Sequence, residues 1–189
     1  MIIISKQSWK PGTLVYPVPA VLVSCGDGKK DNILTVAWTG TVCTDPAMTY
    51  ISLRKERYSY DIIKKTGEFT INLTTKDLAY ATDYAGVRSG KNENKLEKLG
   101  LHLSYGTNKY SKILDESPIN IECEVVQINE LGSHDMFLAK VKNIFVDEKY
   151  LDDKGAFDMK KCDLIAYMHG RYYELGKEIG KFGFSVKKK

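Results

Sequence analysis

The 189-residue sequence has few of the features that mark membrane, secreted or zinc-binding proteins. No hydrophobic run approaches the length of a transmembrane span, and the N-terminus lacks the long apolar core of a signal peptide. The cysteines form no CxxC pair and are too widely spaced for a zinc site; they are Cys25, Cys43, Cys123 and Cys162. These absences predict a reduced, cytoplasmic protein with no membrane span and no metal.

An excess of charge of one sign is also missing. Lys and Arg number 28 against 24 Asp and Glu, which gives a net charge of +4 that includes the terminal lysines 187–189. Nucleic-acid binding needs a concentrated basic face, whereas these lysines are scattered among acids, so we expect no nucleic-acid partner. We expect the terminal lysines to form a solvated end. The chain also lacks a Gly-x-Gly-x-x-Gly fingerprint, so any nucleotide would bind without a Rossmann unit.

Short strand-like runs separated by turn signals dominate what is present. Hydrophobic residues make up 43% and charged residues 28%, as in ordinary globular proteins, and the length predicts a single domain over residues 1–189. Strands are predicted at 17–25, 33–41, 48–54, 69–73, 119–128, 136–146 and 164–168, and helices at 59–66, 76–84 and 95–99. Ile121 and Cys123 alternate with Glu122 and Glu124, which predicts a sheet with one solvent-facing side. The fold class is therefore mainly β, an antiparallel barrel with a few short helices.

The stretch 32–60 carries the clearest chemical signal. Thr35, Ala37 and Thr39 alternate along one predicted strand and should share a face. Ser52 and Arg54 share a face of the next strand by the same rule, and Ser59 stands where a helix begins. An arginine, a hydroxyl and a helix start together favour an anion site. Because such residues are also common on ordinary strands, spacing alone leaves the phosphate site and a purely structural role both open.

Short sequence motifs that occur in order along the chain extend this interpretation. They are LTVAWTG at 34–40, DP at 45–46, SLR at 52–54, RYSY at 57–60, GEFTINL at 67–73, AG at 85–86 through SG at 89–90, LGSHD at 131–135 and YYELG at 172–176. From Pro19 to Gly183 the chain resembles the flavin reductase-like family, and most closely its flavoredoxin-type members. The combination is specific because these eight motifs occur in the same order as in that family.

The resemblance implies an FMN-binding split β-barrel that holds FMN non-covalently, usually as a homodimer with the flavin near the subunit interface. In similar proteins the segment like 35–41 lines the isoalloxazine ring, which implies roles for Thr35, Ala37, Trp38, Thr39 and Thr41. The segment like 52–59 holds the ribityl chain and phosphate, which implies roles for Ser52, Arg54 and Ser59. A loop that closes over the flavin corresponds to Ser89, Gly90 and Lys91, with Lys95 following.

The chain also departs from the family pattern. Related sequences often carry an acid before the loop lysine, where this chain has Asn94, and often a cysteine where it has Ala85. The first change bears on loop closure, and the second removes a thiol from the expected flavin neighbourhood.

His134 is the candidate catalytic residue. In nicotinamide-using relatives a histidine in a similar phrase lies near the flavin, which implies that His134 positions nicotinamide or donates to the reduced ring. The other interpretation is a histidine bonded to its own turn, and both stay open.

The resemblance implies a redox flavoprotein that passes electrons from NAD(P)H or a protein donor through FMN to an acceptor. A flavoredoxin-type carrier without a nicotinamide site and a non-catalytic flavin-binding barrel are the alternatives. The sequence does not separate the three functions.

Overall fold

The computed structural model describes residues 5–186. The terminal lysines predicted to be solvated, and the first four residues of the N-terminus, lie outside the described residues. The strands are β1 Val18–Pro19, β2 Val21–Gly26, β3 Asp31–Val36, β4 Thr39–Thr44, β5 Ala47–Leu53, β6 Glu68–Asn72, β7 Leu103–Ser104, β8 Ile113–Leu114, β9 Ile119–Glu130, β10 Asp135–Val146, β11 Ile165–Met168 and β12 Arg171–Glu174. The helices are α1 Tyr58–Thr66, α2 Ala79–Val87 and α3 Lys95–Leu99, with short 3-10 turns at Glu148–Tyr150, Met159–Cys162 and Phe184–Val186.

The strands form a seven-stranded antiparallel sheet in the order β3-β2-β6-β9-β10-β5-β4, with smaller sheets β1-β11-β12 and β7-β8. β3 and β4 lie at opposite edges of the large sheet, yet only Ala37 and Trp38 separate them in sequence. Three peptide units span at most about 11 Å, so the sheet must curl until its two edges approach each other. The result is the split barrel, which confirms the predicted mainly β fold class.

Two apolar clusters hold this arrangement together. One fills the barrel and includes Val21 and Val23, while the other lies under α2 and α3 and includes Leu22 and Ile33. Successive side chains of a strand point to opposite faces, so β2 contributes to both clusters and is buried along its whole length. The predicted strand at 17–25 is therefore confirmed as buried on both faces from Val21 onward. Its first part, Val18–Pro19, is a separate short strand that pairs with β11 and is not buried.

Helix α1 agrees with its prediction. It begins one residue before Ser59 and ends at Thr66, and Gly67 follows in the left-handed region with φ of 71°. The Gly67 N–H donates to the Ile63 carbonyl at 2.8 Å, which closes the last turn. The short helix predicted at 95–99 is also confirmed.

Three further predictions are wrong, two about secondary structure and one about burial. The run 33–41 is two strands, so Thr35 and Thr39 lie on opposite edge strands and share no face with Ala37. The break is needed because the sheet curls to bring its two edges together. The alternation of side chains along the sequence does not indicate such a break. Helix α2 runs from Ala79 to Val87, so it starts and ends three residues later than the predicted span 76–84. The glycine-containing polar stretch 85–94, which the sequence predicts as a loop, therefore begins with the last turn of this helix.

Glu122 is the third error, because it is fully buried instead of facing solvent. Its carboxylate accepts from the backbone amides of Thr107 at 2.8 Å and Asn108 at 3.0 Å. A loop thus covers this end of the sheet and supplies the donors that a buried carboxylate needs. Glu124 on the same strand is exposed, as predicted.

Within residues 5–186, no helix is both long and apolar enough to cross a membrane.

Candidate functional site

Two adjoining cavities open beside the short β3–β4 connection. The wide cavity has a volume of about 360 Å³ and the narrow cavity about 190 Å³. Leu34, Arg57 and Val87 line both, so the cavities lie side by side between β3, the start of α1 and the end of α2. Together they form a compartment with one broad end and one slender end.

The narrow cavity is built around the start of α1. Arg57 precedes the helix with an extended backbone and provides no side-chain cap for the first turn, where amide N–H groups have no helical acceptor. Ser59 is buried in that turn, and its Oγ accepts a hydrogen bond from the Asn32 Nδ2 at 2.7 Å. Helix-start amides and a fixed hydroxyl favour an anion, because the helix dipole is positive at this end.

Lys95 gives the narrow cavity a buried positive charge. The residue is only 3% exposed, and its Nζ donates to the carbonyls of Ala85 at 3.0 Å and Arg88 at 3.2 Å. Burial, followed by the charge of Arg57, lowers the pKa of Lys95 to about 8. None of the ion pairs formed among residues 5–186 includes Lys95. A buried ammonium without a carboxylate partner is costly, which makes this cavity suited to an anionic ligand.

The loop between α2 and α3 closes the narrow cavity from the other side. Gly90 is buried, and its carbonyl accepts from Lys30 Nζ at 2.8 Å. A Cβ at position 90 would lie 2.1 Å from Asn32 Oδ1, so the loop reaches its place only with glycine there. Ser89 and Gly90 line the cavity, whereas Lys91 is exposed and lines neither cavity.

The wide cavity receives small and aromatic groups from both edges of the split. Thr35, Ala37 and Trp38 line it from the β3–β4 connection, and Ser52 and Arg54 line it from the end of β5. The Ser52 amide donates to the Trp38 carbonyl at 2.9 Å, which ties the connection to β5. Tyr167 and Tyr172 add rings, with centroids 5.5 Å apart. A flat ligand with polar edges suits these walls.

His134 lines the wide cavity and also bonds to its own turn. Its Nδ1 lies 2.9 Å from the Ser133 Oγ, as the structural interpretation requires, while the residue is only partly buried. Burial, followed by the Arg54 guanidinium, lowers the pKa of His134 below its ordinary value. At pH 7 the neutral imidazole is therefore favoured more strongly than in an ordinary histidine.

Two further predicted residues lie away from the cavities. Thr39 is buried and its Oγ1 donates to the Tyr50 carbonyl at 2.6 Å, while Thr41 is exposed on edge strand β4. Neither lines the wide or the narrow cavity. One chain thus brings together most of the predicted set, namely Thr35, Ala37, Trp38, Ser52, Arg54, Ser59, Ser89, Gly90, Lys95 and His134.

Sequence reasoning missed Arg57 as a member of the site. This arginine lines both cavities, and its Nη1 donates to the Gly86 carbonyl at 2.9 Å. The sequence does place Arg57 directly before the predicted helix. This position could have indicated its role, because a cation and the start of a helix both favour a bound anion. Asn32 was missed as well, because nothing in its turn-like context shows that its side chain turns inward to Ser59.

Comparison with known proteins identifies the family of this fold. The sequence model of the Flavin reductase like domain matches residues 13–176. The flavoredoxin of Desulfovibrio vulgaris (Miyazaki F) is 33% identical, with a TM-score of 0.89 over 97% of this chain and 100% of its own. The flavoredoxin from Methanosarcina acetivorans is 25% identical, with a TM-score of 0.88 over 97% and 98%. A protein of Archaeoglobus fulgidus is 30% identical over 146 residues, which are 77% of this chain and 82% of that relative. The chain therefore belongs to the flavin reductase like family.

Proposed function

We propose that this protein is an FMN-binding redox flavoprotein, built as a single domain, that passes electrons from NAD(P)H or a protein donor to an acceptor. The observation that carries the proposal is the buried Lys95, which forms no ion pair within residues 5–186 and lines a narrow cavity joined to a wide one with aromatic walls. FMN has the same division, with a phosphate at one end and a flat polar ring at the other. The similarity to two flavoredoxins supports the redox assignment.

The narrow cavity would hold the phosphate. Among the described residues, Lys95, Arg57 and Arg88 line this cavity together with one acid, Glu56, so its charge favours a dianion. Ser59 adds a hydroxyl, and the first turn of α1 adds amides. Arg54 lines only the wide cavity, so we assign it to the ribityl chain or the ring edge and give Arg57 the phosphate role.

The wide cavity would hold the isoalloxazine ring beside Thr35, Ala37 and Trp38. When bound, FMN would supply the electron-transfer chemistry, while the chain binds it, orients it and sets its surroundings. The Thr35 hydroxyl donates to the Thr82 carbonyl, so it shapes the wall and leaves main-chain groups to meet the ring. Neutral His134 would position nicotinamide or donate a hydrogen bond to the reduced ring.

The affinity for FMN is expected to fall as the pH rises above about 8. The pKa of Lys95 is about 8 in the free protein, and a bound phosphate would raise it. The contribution of Lys95 to the free energy of FMN binding is therefore complete below the free-protein pKa of about 8. It is lost as the pH rises from this pKa through the higher pKa of the bound state. The FMN phosphate is dianionic throughout this range, because its second pKa is about 6.

Dissociation constants measured from pH 7 to 9.5 check this expectation. Riboflavin, which lacks the phosphate, is the control and should show no such decline. An FMN affinity that stays constant across this range would contradict the role of Lys95.

Partner and location follow as parts of the same proposal. Thr39 and Thr41, which the family resemblance assigns to the ring, lie on edge strand β4 outside both cavities. Their position is consistent with a homodimer in which a second copy completes the site. We place the protein in the cytoplasm.

The test of function is an anaerobic visible spectrum of the FMN-loaded protein before and after NADH or NADPH. Rapid bleaching of the bound flavin is expected for a reductase. A flavin that binds and stays oxidised with both nucleotides would favour a carrier fed by a redox protein, or a binding module without turnover. Failure to bind FMN would contradict the proposed function.

The same spectrum tests His134. A His134→Ala variant that binds FMN normally is expected to bleach more slowly than the native protein. Bleaching at the native rate would remove His134 from the mechanism.

A further inference from the structure

A fully buried carboxylate lies directly behind the candidate site. Asp135 opens β10 and is the residue after His134, and its exposed fraction is 0%. Its Oδ2 accepts from the Tyr60 hydroxyl at 2.5 Å, and the Lys55 Nζ approaches the same oxygen to 3.5 Å. The hydrogen bond to Asp135, followed by burial, raises the pKa of Tyr60 to about 12, so the phenol stays protonated and remains a donor.

Asp135 contacts the segment 53–60 at both ends. At the first end its backbone pairs with Leu53 in the register between β10 and β5. At the other end its carboxylate holds Tyr60, in the first turn of α1. One residue therefore fixes the beginning and the end of an eight-residue connection.

Backbone hydrogen bonds make that connection stiff between its two anchors. The Arg57 amide donates to the Arg54 carbonyl at 3.1 Å, and the Tyr60 amide donates to the Arg57 carbonyl at 2.9 Å. A displacement of Tyr60 would thus be transmitted through Arg57 to Arg54. The segment carries Arg54 into the wide cavity, Ser59 into the narrow one and Arg57 into both.

The environment of Asp135 lowers the stability of the folded protein, which is unexpected for a contact with a purely structural role. Among the described residues, Asp135 Oδ1 has no hydrogen-bond partner, although the atom is buried. Lys55 is the cation that pairs with this carboxylate within residues 5–186, and its side chain is 52% exposed. Because Lys55 also pairs with Glu130, it compensates the charge of Asp135 only in part. A buried carboxylate with an unsatisfied oxygen lowers stability, whereas an apolar pair in its place would not.

We propose that Asp135 is a positioning residue that, through Tyr60, fixes the 53–60 segment in the geometry that binds the flavin phosphate. The inference rests on the proposed function, because it assigns the phosphate to Arg57 and Ser59. Asp135 lines neither cavity and acts only through its neighbours. Its effect falls mainly on the phosphate end, since Thr35, Ala37 and Trp38 of the ring wall lie outside the segment.

The test compares FMN and riboflavin affinities in the full-length chain carrying Tyr60→Phe, Asp135→Asn or both. Loss of the Tyr60 hydroxyl is expected to raise the FMN dissociation constant at least about tenfold, as for a hydrogen bond to a charged group. The dissociation constant of riboflavin should rise by a clearly smaller factor, because riboflavin loses only what Arg54 contributes to the ring or the ribityl chain. The double variant is expected to bind FMN no more weakly than the worse single variant, because both changes break one linkage.

Thr70→Val is the matched control, because it also removes a buried hydroxyl, one that lies 2.9 Å from Ser111 Oγ and lines neither cavity. It should lower the melting temperature of the ligand-free protein without changing either affinity. Three results would overturn the inference: a folded Tyr60→Phe protein with native FMN affinity, an equal loss for riboflavin, or an equal loss in Thr70→Val. Failure of the native protein to bind FMN would instead overturn the proposed function on which this inference rests.

Discussion

Replacing Lys95 with methionine is expected to weaken FMN binding by roughly 1.5–3 kcal/mol, the range for a hydrogen bond to a charged group. The buried ammonium has no carboxylate partner within residues 5–186, so a bound phosphate would be its main compensating charge. Methionine keeps a long side chain of similar shape and removes only the charge and its donors. Titration of the purified variant with FMN, followed by quenching of flavin fluorescence, measures the loss.

Lys65→Met is the matched control, since Lys65 is an exposed lysine in the last turn of α1, at the opposite end from the phosphate site. It removes the same charge from the same chain and should leave the FMN affinity unchanged. Equal losses in the two variants would mean that only the net charge matters. A folded Lys95→Met protein with native affinity would show that the narrow cavity does not hold the phosphate.

Substitution of Gly90 by alanine is expected to destabilise the protein by about 1–3 kcal/mol and to weaken FMN binding as well. The new Cβ would lie 2.1 Å from Asn32 Oδ1 and 2.7 Å from its Cγ. Asn32 is buried and donates to Ser59 Oγ, so it cannot retreat without giving up the bond that orients this hydroxyl. Thermal unfolding of the ligand-free protein and FMN titration measure the two effects separately.

Gly176→Ala provides the comparison for this change. Among the described residues, apart from its two chain neighbours, no heavy atom lies within 4 Å of a Cβ built at Gly176. The backbone at Gly176 does not adopt a positive φ, so alanine fits there without strain. The control should keep both native stability and native FMN affinity. If Gly90→Ala behaved like Gly176→Ala, the close approach of the loop to Asn32 would not matter for the site.

The sequence was sufficient for the fold class, and most of the residues that it predicts for the site line one of the two cavities. The failures have physical causes. β2 was predicted correctly because its apolar run reports burial on both faces directly. The break at Ala37 and Trp38 was missed because it arises from closing a seven-stranded sheet, which depends on how distant strands pair. The burial of Glu122 was missed for a similar reason, since its donors come from Thr107 and Asn108 across the fold.

Arg54 and Arg57 show the limit of reasoning from motifs. Both lie near the end of β5, and strand alternation with Ser52 favoured Arg54 for the phosphate. The turn bonds between Arg54 and Arg57 place the second arginine against Gly86 and into both cavities, while the first lines only the wide one. Alternation along a strand says nothing about the turn that follows it, and the turn decides which cation reaches the narrow cavity.

The most direct test of the central claim is the ratio of the FMN and riboflavin affinities of the native protein at pH 7. The two ligands share the ring and the ribityl chain, and differ only in the phosphate assigned to the narrow cavity. Because several charged donors line that cavity, FMN is expected to bind at least about tenfold more tightly, and this preference should shrink in Lys95→Met. Equal affinities, or no binding of either flavin, would contradict the assignment.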